Sequence, residues 1–369
     1  MNTIMKIAKK ATVLSASILG LGGLMTGLFA ADVQIPKHDG KPADISKPVQ
    51  VFILMGQSNM TGGGKMDTLE KAVKEKKMYP YLVDADGKWT LRNDVRYSRV
   101  HMLERKHRNE WLGTSLNDSK PYNHIGVEFG IGHILGNATD SPVLLIKSCN
   151  GNRSLGWHLL PPGSSRFEFG DKMYAGYGEG PAAWPKGTEP PPYDINKDMT
   201  KNLRGNSSKG WYGGRQYDID VHYAKKALEE IGNYYPGAKS YEVAGFFFWQ
   251  GAKDAGNSAY AERYETNLVQ LIKSLRKDFN APNAKFVCGT LGEAVKGETG
   301  NNTATIMEAH LAVSDPAKHP EFKDNVATVY THDMAQGGSG NGHYGSNSEV
   351  YMDVGEAMGA SMLDLLKKK

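Results

Sequence analysis

Apolar positions in this chain collect into short unbroken runs, at residues 51–55, 143–146, 243–249, 285–288 and 326–330. Runs of this length, rich in β-branched and aromatic residues, predict strands buried on both faces, as in a parallel sheet. Between several of them the period changes to that of a helix. Residues 258–279 place Tyr260, Tyr264, Leu268, Leu271, Leu275 and Phe279 on one face. Residues 215–234 and 125–135 also read as helices, and 67–77 as a shorter one. The last helix is expected over 346–366, opened by a capping box, Ser346-x-x-Glu349. Strands alternating with helices predict an α/β three-layer sandwich, with a five-stranded parallel sheet flanked by helices. Residues 79–97 read instead as a hairpin about the turn Asp86-Gly87.

One stretch has no period at all. Residues 152–214 are rich in Gly, Pro and aromatic residues, including Trp157, Trp184, Trp211, Tyr174, Tyr177, Tyr193 and Tyr212. A loop this long in a compact domain is usually functional. Its rings could stack on a sugar or pack the insertion onto the domain.

The first 31 residues change the reading of the charge. Lys6, Lys9 and Lys10 precede an uncharged apolar or small run from 11 to 29, the pattern of an export signal. An exported protein, periplasmic or secreted, is expected, with a polar linker over 32–48 and one domain over 49–369. The leader holds three of the 44 basic residues and none of the 40 acidic ones, so the remainder carries 41 against 40. That balance offers no electrostatic case for nucleic acid, or for a stable membrane contact once the leader is removed. Oligomeric state is not legible. Cys149 and Cys288, the two cysteines, each end a strand-like run and are expected as buried free thiols.

The candidate chemistry starts at Ser58. It follows the first strand by way of Gly56 and Gln57, at the carboxyl end where open α/β sheets place ligands. A serine there is a candidate nucleophile if a base lies within reach. The Gly62-Gly-Gly-Lys65 run is not a phosphate loop, because Asn59 stands where its first Gly should be and Met66 follows the lysine. Gly56-x-Ser58-x-Met60 lacks the second glycine of the nucleophile elbow. The candidate base is His343, in a glycine-rich loop between the last strand and the last helix. No metal-binding spacing is present, so no metal site is expected.

These residues resemble a known family, the SGNH-type carbohydrate esterases of the sialate O-acetylesterase and acetylxylan esterase branch. Ile53-Leu-Met-Gly-Gln-Ser-Asn-Met60 is similar to its first block, and 145–157, with Cys149-Asn-Gly-Asn152, to its second. Phe248-Trp-Gln-Gly-Ala-Lys-Asp254 is similar to the third, and Gly342-His343-Tyr344 to the last. The resemblance implies acyl transfer from an acetylated carbohydrate to Ser58, with His343 as base and no cofactor. It implies an oxyanion hole made by the backbone N–H groups of Ser58 and Gly151 and the side-chain amide of Gln250. Asn152 and Trp157, directly after that glycine, are expected at the substrate cleft.

The chain departs from the pattern twice. Ala252 and Lys253 stand where the third block usually has Glu and Ser. Gly340 and Asn341 occupy the positions of the usual aspartate before the histidine. Asp254 is then expected to orient His343, with Asp333 as rival and a Ser–His dyad held by a backbone carbonyl as the third option. Two other functions remain open at this stage: a non-catalytic sugar-binding module on an esterase scaffold, and an esterase or lipase for other acyl chains.

Overall fold

A computed structural model of the chain describes residues 35–100, 109–117, 124–203, 209–335 and 343–368. The expected leader lies outside the described residues. Residues 35–369 form one compact unit.

Its centre is a seven-stranded sheet. In chain order the strands are β1 (Val49–Gly56), β2 (Val95–Arg99), β3 (Glu110–Trp111), β4 (Val143–Lys147), β5 (Tyr241–Trp249), β6 (Lys285–Gly289) and β7 (Val326–Val329). They lie side by side as β7-β6-β5-β1-β4-β2-β3, all parallel except the short edge strand β3. The five expected strands are all present. In order of sequence they run 2-1-3-4-5 across the sheet, the flavodoxin-like order, so the direction of winding reverses between β1 and β5.

Alternation along β1 shows why both faces are covered. Phe52 and Leu54 enter one core, and Val49, Val51, Ile53 and Met55 enter the other. The first core is closed by the helices Met66–Lys74, Glu128–Asn137 and Ser348–Lys367. The second is closed by Arg215–Glu229, Tyr264–Asp278 and Asn302–Ala312. The three-layer α/β sandwich is therefore borne out, with a wider sheet than expected.

Several local readings change. The expected hairpin over 79–97 reduces to one antiparallel bridge, Val83 to Trp89, and the end of the segment, from Val95, belongs to the parallel strand β2. The last helix starts two residues late. Asn347 caps it by accepting from the Glu349 N–H, while Ser346 is left-handed at φ +60° and takes no part in a capping box. The helix over 258–279 is broken at Arg263 into Ser258–Glu262 and Tyr264–Asp278. Residues 35–48 are tied to the domain: Pro36 and Gly40 carbonyls accept from Asn137 and Asn93, and the Asp44 N–H donates to the Asp140 carbonyl.

The insertion after β4 has structure of its own, a three-stranded antiparallel sheet of Phe167–Phe169, Lys172–Tyr174 and Ala183–Pro185. Trp157, Trp184 and Trp211 form a small core with Ala175 and Ile219. These rings pack the insertion. Both cysteines are buried free thiols.

Candidate active site

The site begins with backbone geometry at the end of β1. Gly56 has φ +143°, and a Cβ there would overlap the Trp249 carbonyl of the neighbouring strand. Only glycine allows that approach. The chain then turns, with the Gln57 N–H donating to the Trp249 carbonyl at 3.2 Å. Ser58 opens a four-residue helix, Ser58–Thr61, so its N–H has no helical carbonyl to reach. Its side chain is half-buried at the switch point between β1 and β5.

Gly151 lies against it. A Cβ built on Gly151 would meet the Ser58 Cβ at 3.7 Å, an ordinary contact. Its loop is held from beneath by buried polar groups. The Ser148 hydroxyl donates to the Asp220 carbonyl at 2.9 Å, and Arg153 Nε donates to Gln216 Oε1 at 2.9 Å. Gln216 in turn donates to the Asp220 carboxylate at 2.8 Å. Asn152 is left-handed at φ +57° and half-buried, on the next turn of the same loop.

His343 reaches the nucleophile loop from the other side. It is exposed and left-handed, at φ +69°. A Cβ on Gly63, five residues after Ser58, would lie 3.1 Å from the His343 Cβ. The residues that follow Ser58 and His343 are bonded directly: Asn59 Nδ2 donates to the Tyr344 hydroxyl at 2.9 Å. The Tyr344 ring stacks on Trp249 of β5, with centroids 5.7 Å apart and planes 8° from parallel. The histidine loop is thereby moored to the carboxyl edge of the sheet. Residues 336–342 lie outside the described residues, including the Gly340 and Asn341 positions.

Three expected roles meet a different geometry. Asp254 is fully buried, and both its oxygens face other partners. Oδ2 accepts from the Leu155 N–H at 2.9 Å and Gln250 Nε2 at 2.6 Å, and Oδ1 from the Gly156 N–H at 2.7 Å. It fastens the start of the insertion and has no bond to His343. Burial pushes its pKa up to about 6, against the pull of those donors. Asp333 is exposed and makes no hydrogen bond or ion pair with the histidine, which has no carboxylate partner among the described residues.

Gln250 is likewise committed. Its Nε2 donates to Gln57 Oε1 at 3.0 Å, the Arg153 carbonyl at 2.9 Å and Asp254. Its Oε1 accepts from the Tyr264 hydroxyl at 2.7 Å. At 0% exposure this amide has no hydrogen left for a reacting oxygen. Trp157, 4% exposed, belongs to the core of the insertion and offers no face to a substrate.

Sequence reasoning passed over Gln57, Asn59, Tyr264 and Tyr344. The signal for Gln57 was present: each of two neighbouring strands is followed by a glutamine. The register pairs Gly56 with Trp249, which sets Gln57 and Gln250 side by side. Among the described residues no three His, Cys, Asp or Glu side chains gather as metal ligands.

A serine and a histidine loop at the switch point of a parallel α/β sheet define a class of candidate hydrolase. Residues 202–364 match the family model described as "Carbohydrate esterase, sialic acid-specific acetylesterase". The resemblance read from the four sequence blocks is borne out by that match, which holds Gln250, Asp254 and His343 but not Ser58 or Gly151. Three solved structures are similar at low identity. A protein from Arabidopsis thaliana is 16% identical, over 86% of this chain and 98% of its own, with a TM-score of 0.49. A carbohydrate acetylesterase from Xanthomonas citri is 12% identical, over 87% of this chain and 57% of its own, at 0.47. NanS is 13% identical over 79% of both chains, at 0.40. No curated protein matches the chain in sequence.

Proposed function

We propose that this chain is an exported serine esterase that removes O-acetyl groups from a carbohydrate. The observation that carries the reading is the approach of Gly151 to Ser58 on one side and of the His343 loop to Gly63 on the other. In this mechanism His343 takes the Ser58 proton as Oγ attacks the acetyl carbonyl. The developing oxyanion is met by the Ser58 and Gly151 N–H groups, donors of a kind typically worth ~3 kcal/mol each. The tetrahedral intermediate collapses, the C–O bond to the sugar breaks, and His343 returns the proton to the sugar oxygen. Water, deprotonated by His343, then hydrolyses the acetyl-serine to acetate. With Asp254 engaged elsewhere, Ser58 and His343 act as a dyad. Export is supported by the leader pattern, and among the described residues no helix is long and apolar enough to cross a membrane.

The lack of a carboxylate on His343 among the described residues also favours a second reading, a sugar-binding module without turnover. A lipase is less well supported. Among the described residues, the exposed large apolar ones, Ile45, Leu91, Tyr241 and Leu366, all lie outside the insertion that would form a greasy lid. Ser58→Ala decides the matter. It should abolish acetate release from acetylated xylan, sialic acid or other glycans, and turnover of p-nitrophenyl acetate, with an unchanged circular dichroism spectrum. Full activity in that variant refutes the esterase reading. Glycan binding by a wild-type protein that turns over none of these esters supports the module.

A further inference from the structure

We propose that a polar recess between the insertion and the helix Tyr264–Asp278 binds an acidic sugar unit, whose carboxylate is taken by the Arg263 guanidinium. None of the residues proposed for catalysis lines this recess, and the inference does not rest on the esterase reading.

The recess has a volume of about 390 Å³. That is at the lower end of the range for small-molecule sites. It is bounded by Gly163, Ser164 and Ser165 of the insertion, by the start of the helix, and by His319. Three of its lining residues hold a buried polar atom that no group satisfies among the described residues: Ser164 Oγ, Arg263 Nε and Asn267 Nδ2. Asn267 as a whole is 3% exposed. A buried polar atom without a partner costs stability, and native structures hold few of them. Three around one recess point to a ligand that supplies what they lack.

Arg263 decides the chemistry of that ligand. Its side chain has no hydrogen bond and no ion pair among the described residues. Its Cζ lies over the Phe167 ring, 5.1 Å from the centroid. That ring is itself stacked on Tyr174, with centroids 5.2 Å apart and planes 16° from parallel, and Tyr174 meets Tyr260 edge-on. Stacking holds a planar guanidinium in place and leaves its N–H donors for other groups. A carboxylate accepts from two of them at once, Nε–H and one Nη–H, which makes it the best match to this fork. Asn267 Nδ2 adds a further donor, and Ser164 Oγ can donate or accept. The acid in the recess, Glu265, is already engaged, with Oε1 2.8 Å from His319 Nε2. Arg263 is therefore the uncommitted charge. Val269 is the one apolar side chain in the lining, so an acid with a greasy body would find little to bury against. A polyhydroxylated acid would meet the Ser165 and Thr266 hydroxyls instead.

The test titrates the full chain with trigalacturonate and with trisialic acid, neither of them acetylated on oxygen, and with xylotriose as the neutral comparison. Isothermal calorimetry should show at least one acidic trimer binding about tenfold or more tighter than xylotriose. Arg263→Gln should weaken that binding by about tenfold or more, the range for losing hydrogen bonds to a charged group. Asn267→Asp should weaken it comparably by setting a carboxylate against the ligand. Turnover of p-nitrophenyl acetate should stay at the wild-type level in both variants, which separates this recess from the site at Ser58. The inference is overturned if neither acidic trimer binds, if xylotriose binds as tightly, or if Arg263→Gln keeps wild-type affinity. If Arg263→Gln does not fold, wild-type affinity in Asn267→Asp overturns it. A wild-type protein that binds an acidic trimer but turns over no ester leaves this site standing and removes the esterase reading alone.

Discussion

Replacing Asp254 by asparagine separates two jobs that one carboxylate could do. In the structure it fastens the Leu155 and Gly156 N–H groups and the Gln250 amide, and it does not touch His343. Asparagine keeps one acceptor and turns an NH2 on the donors at the other oxygen. At least one hydrogen bond to a charged group is lost, at about 1.5–3 kcal/mol. A second term depends on pH. Burial raises the Asp254 pKa from its ordinary 3.8 to about 6. The folded state therefore binds a proton that the unfolded state has already released between those two values. Stability from this group is complete below about pH 4 and is lost as pH rises through 6. At ~1.4 kcal/mol per unit the loss is about 3 kcal/mol. Asp254→Asn lacks that titration, so comparing it with wild type cancels the other groups. Urea unfolding at pH 4.5 and pH 7 should show the stability gap between the two proteins narrowing by about 2 kcal/mol at the higher pH. Turnover per folded molecule should survive in the variant to within about tenfold. A gap that does not change with pH refutes the anchoring argument. So does a ~10⁴-fold fall in kcat with intact stability, the signature of a lost triad aspartate.

Two further outcomes follow from burial. Lys147 and Glu128 form a buried ion pair behind the nucleophile helix, where Lys147 Nζ also donates to the Thr61 carbonyl at 3.2 Å. Glu128→Gln alone should cost ~3–5 kcal/mol in urea unfolding by stranding the ammonium, and the double change Glu128→Leu/Lys147→Met should cost less. Burial raises the Cys149 and Cys288 thiols to about 11 and about 12. A disulfide reagent at pH 8 should therefore find neither thiol in the native protein and both after unfolding in guanidinium.

The sheet was largely legible because strands covered on both faces carry near-continuous apolar runs, as β1, β4 and β5 do over residues 51–55, 143–146 and 243–249. β2 escaped because Val-Arg-Tyr-Ser-Arg breaks the run. Arg96 lies over the Trp111 ring at 3.9 Å and Ser98 bonds to Tyr234, so polar residues are satisfied near the sheet's edge. Ser58 and His343 were readable because strand ends and loops show in composition. The partners of Asp254 and Gln250 were not, because a side chain's direction depends on which backbone donors the tertiary fold delivers. Leu155 and Gly156, a hundred residues upstream, claimed Asp254. Gln57 was hidden for the reverse reason, since its residue type suits an ordinary turn and only the register with β5 gives it a task.

The bond from Asn59 to Tyr344 has a consequence in time. It spans 285 positions of the chain. At ~5–20 residues per second of synthesis, roughly 15 to 60 seconds separate the arrival of its two ends. Throughout that interval β1 exists without the loop that brings the histidine. It also waits for β5, so one side of the most apolar strand stands open, the kind of edge on which chains aggregate. Contacts this distant slow the search for the native state. The chemistry proposed for Ser58 is consequently the last property the chain acquires, and a fragment ending before residue 343 should be silent however well its sheet has formed.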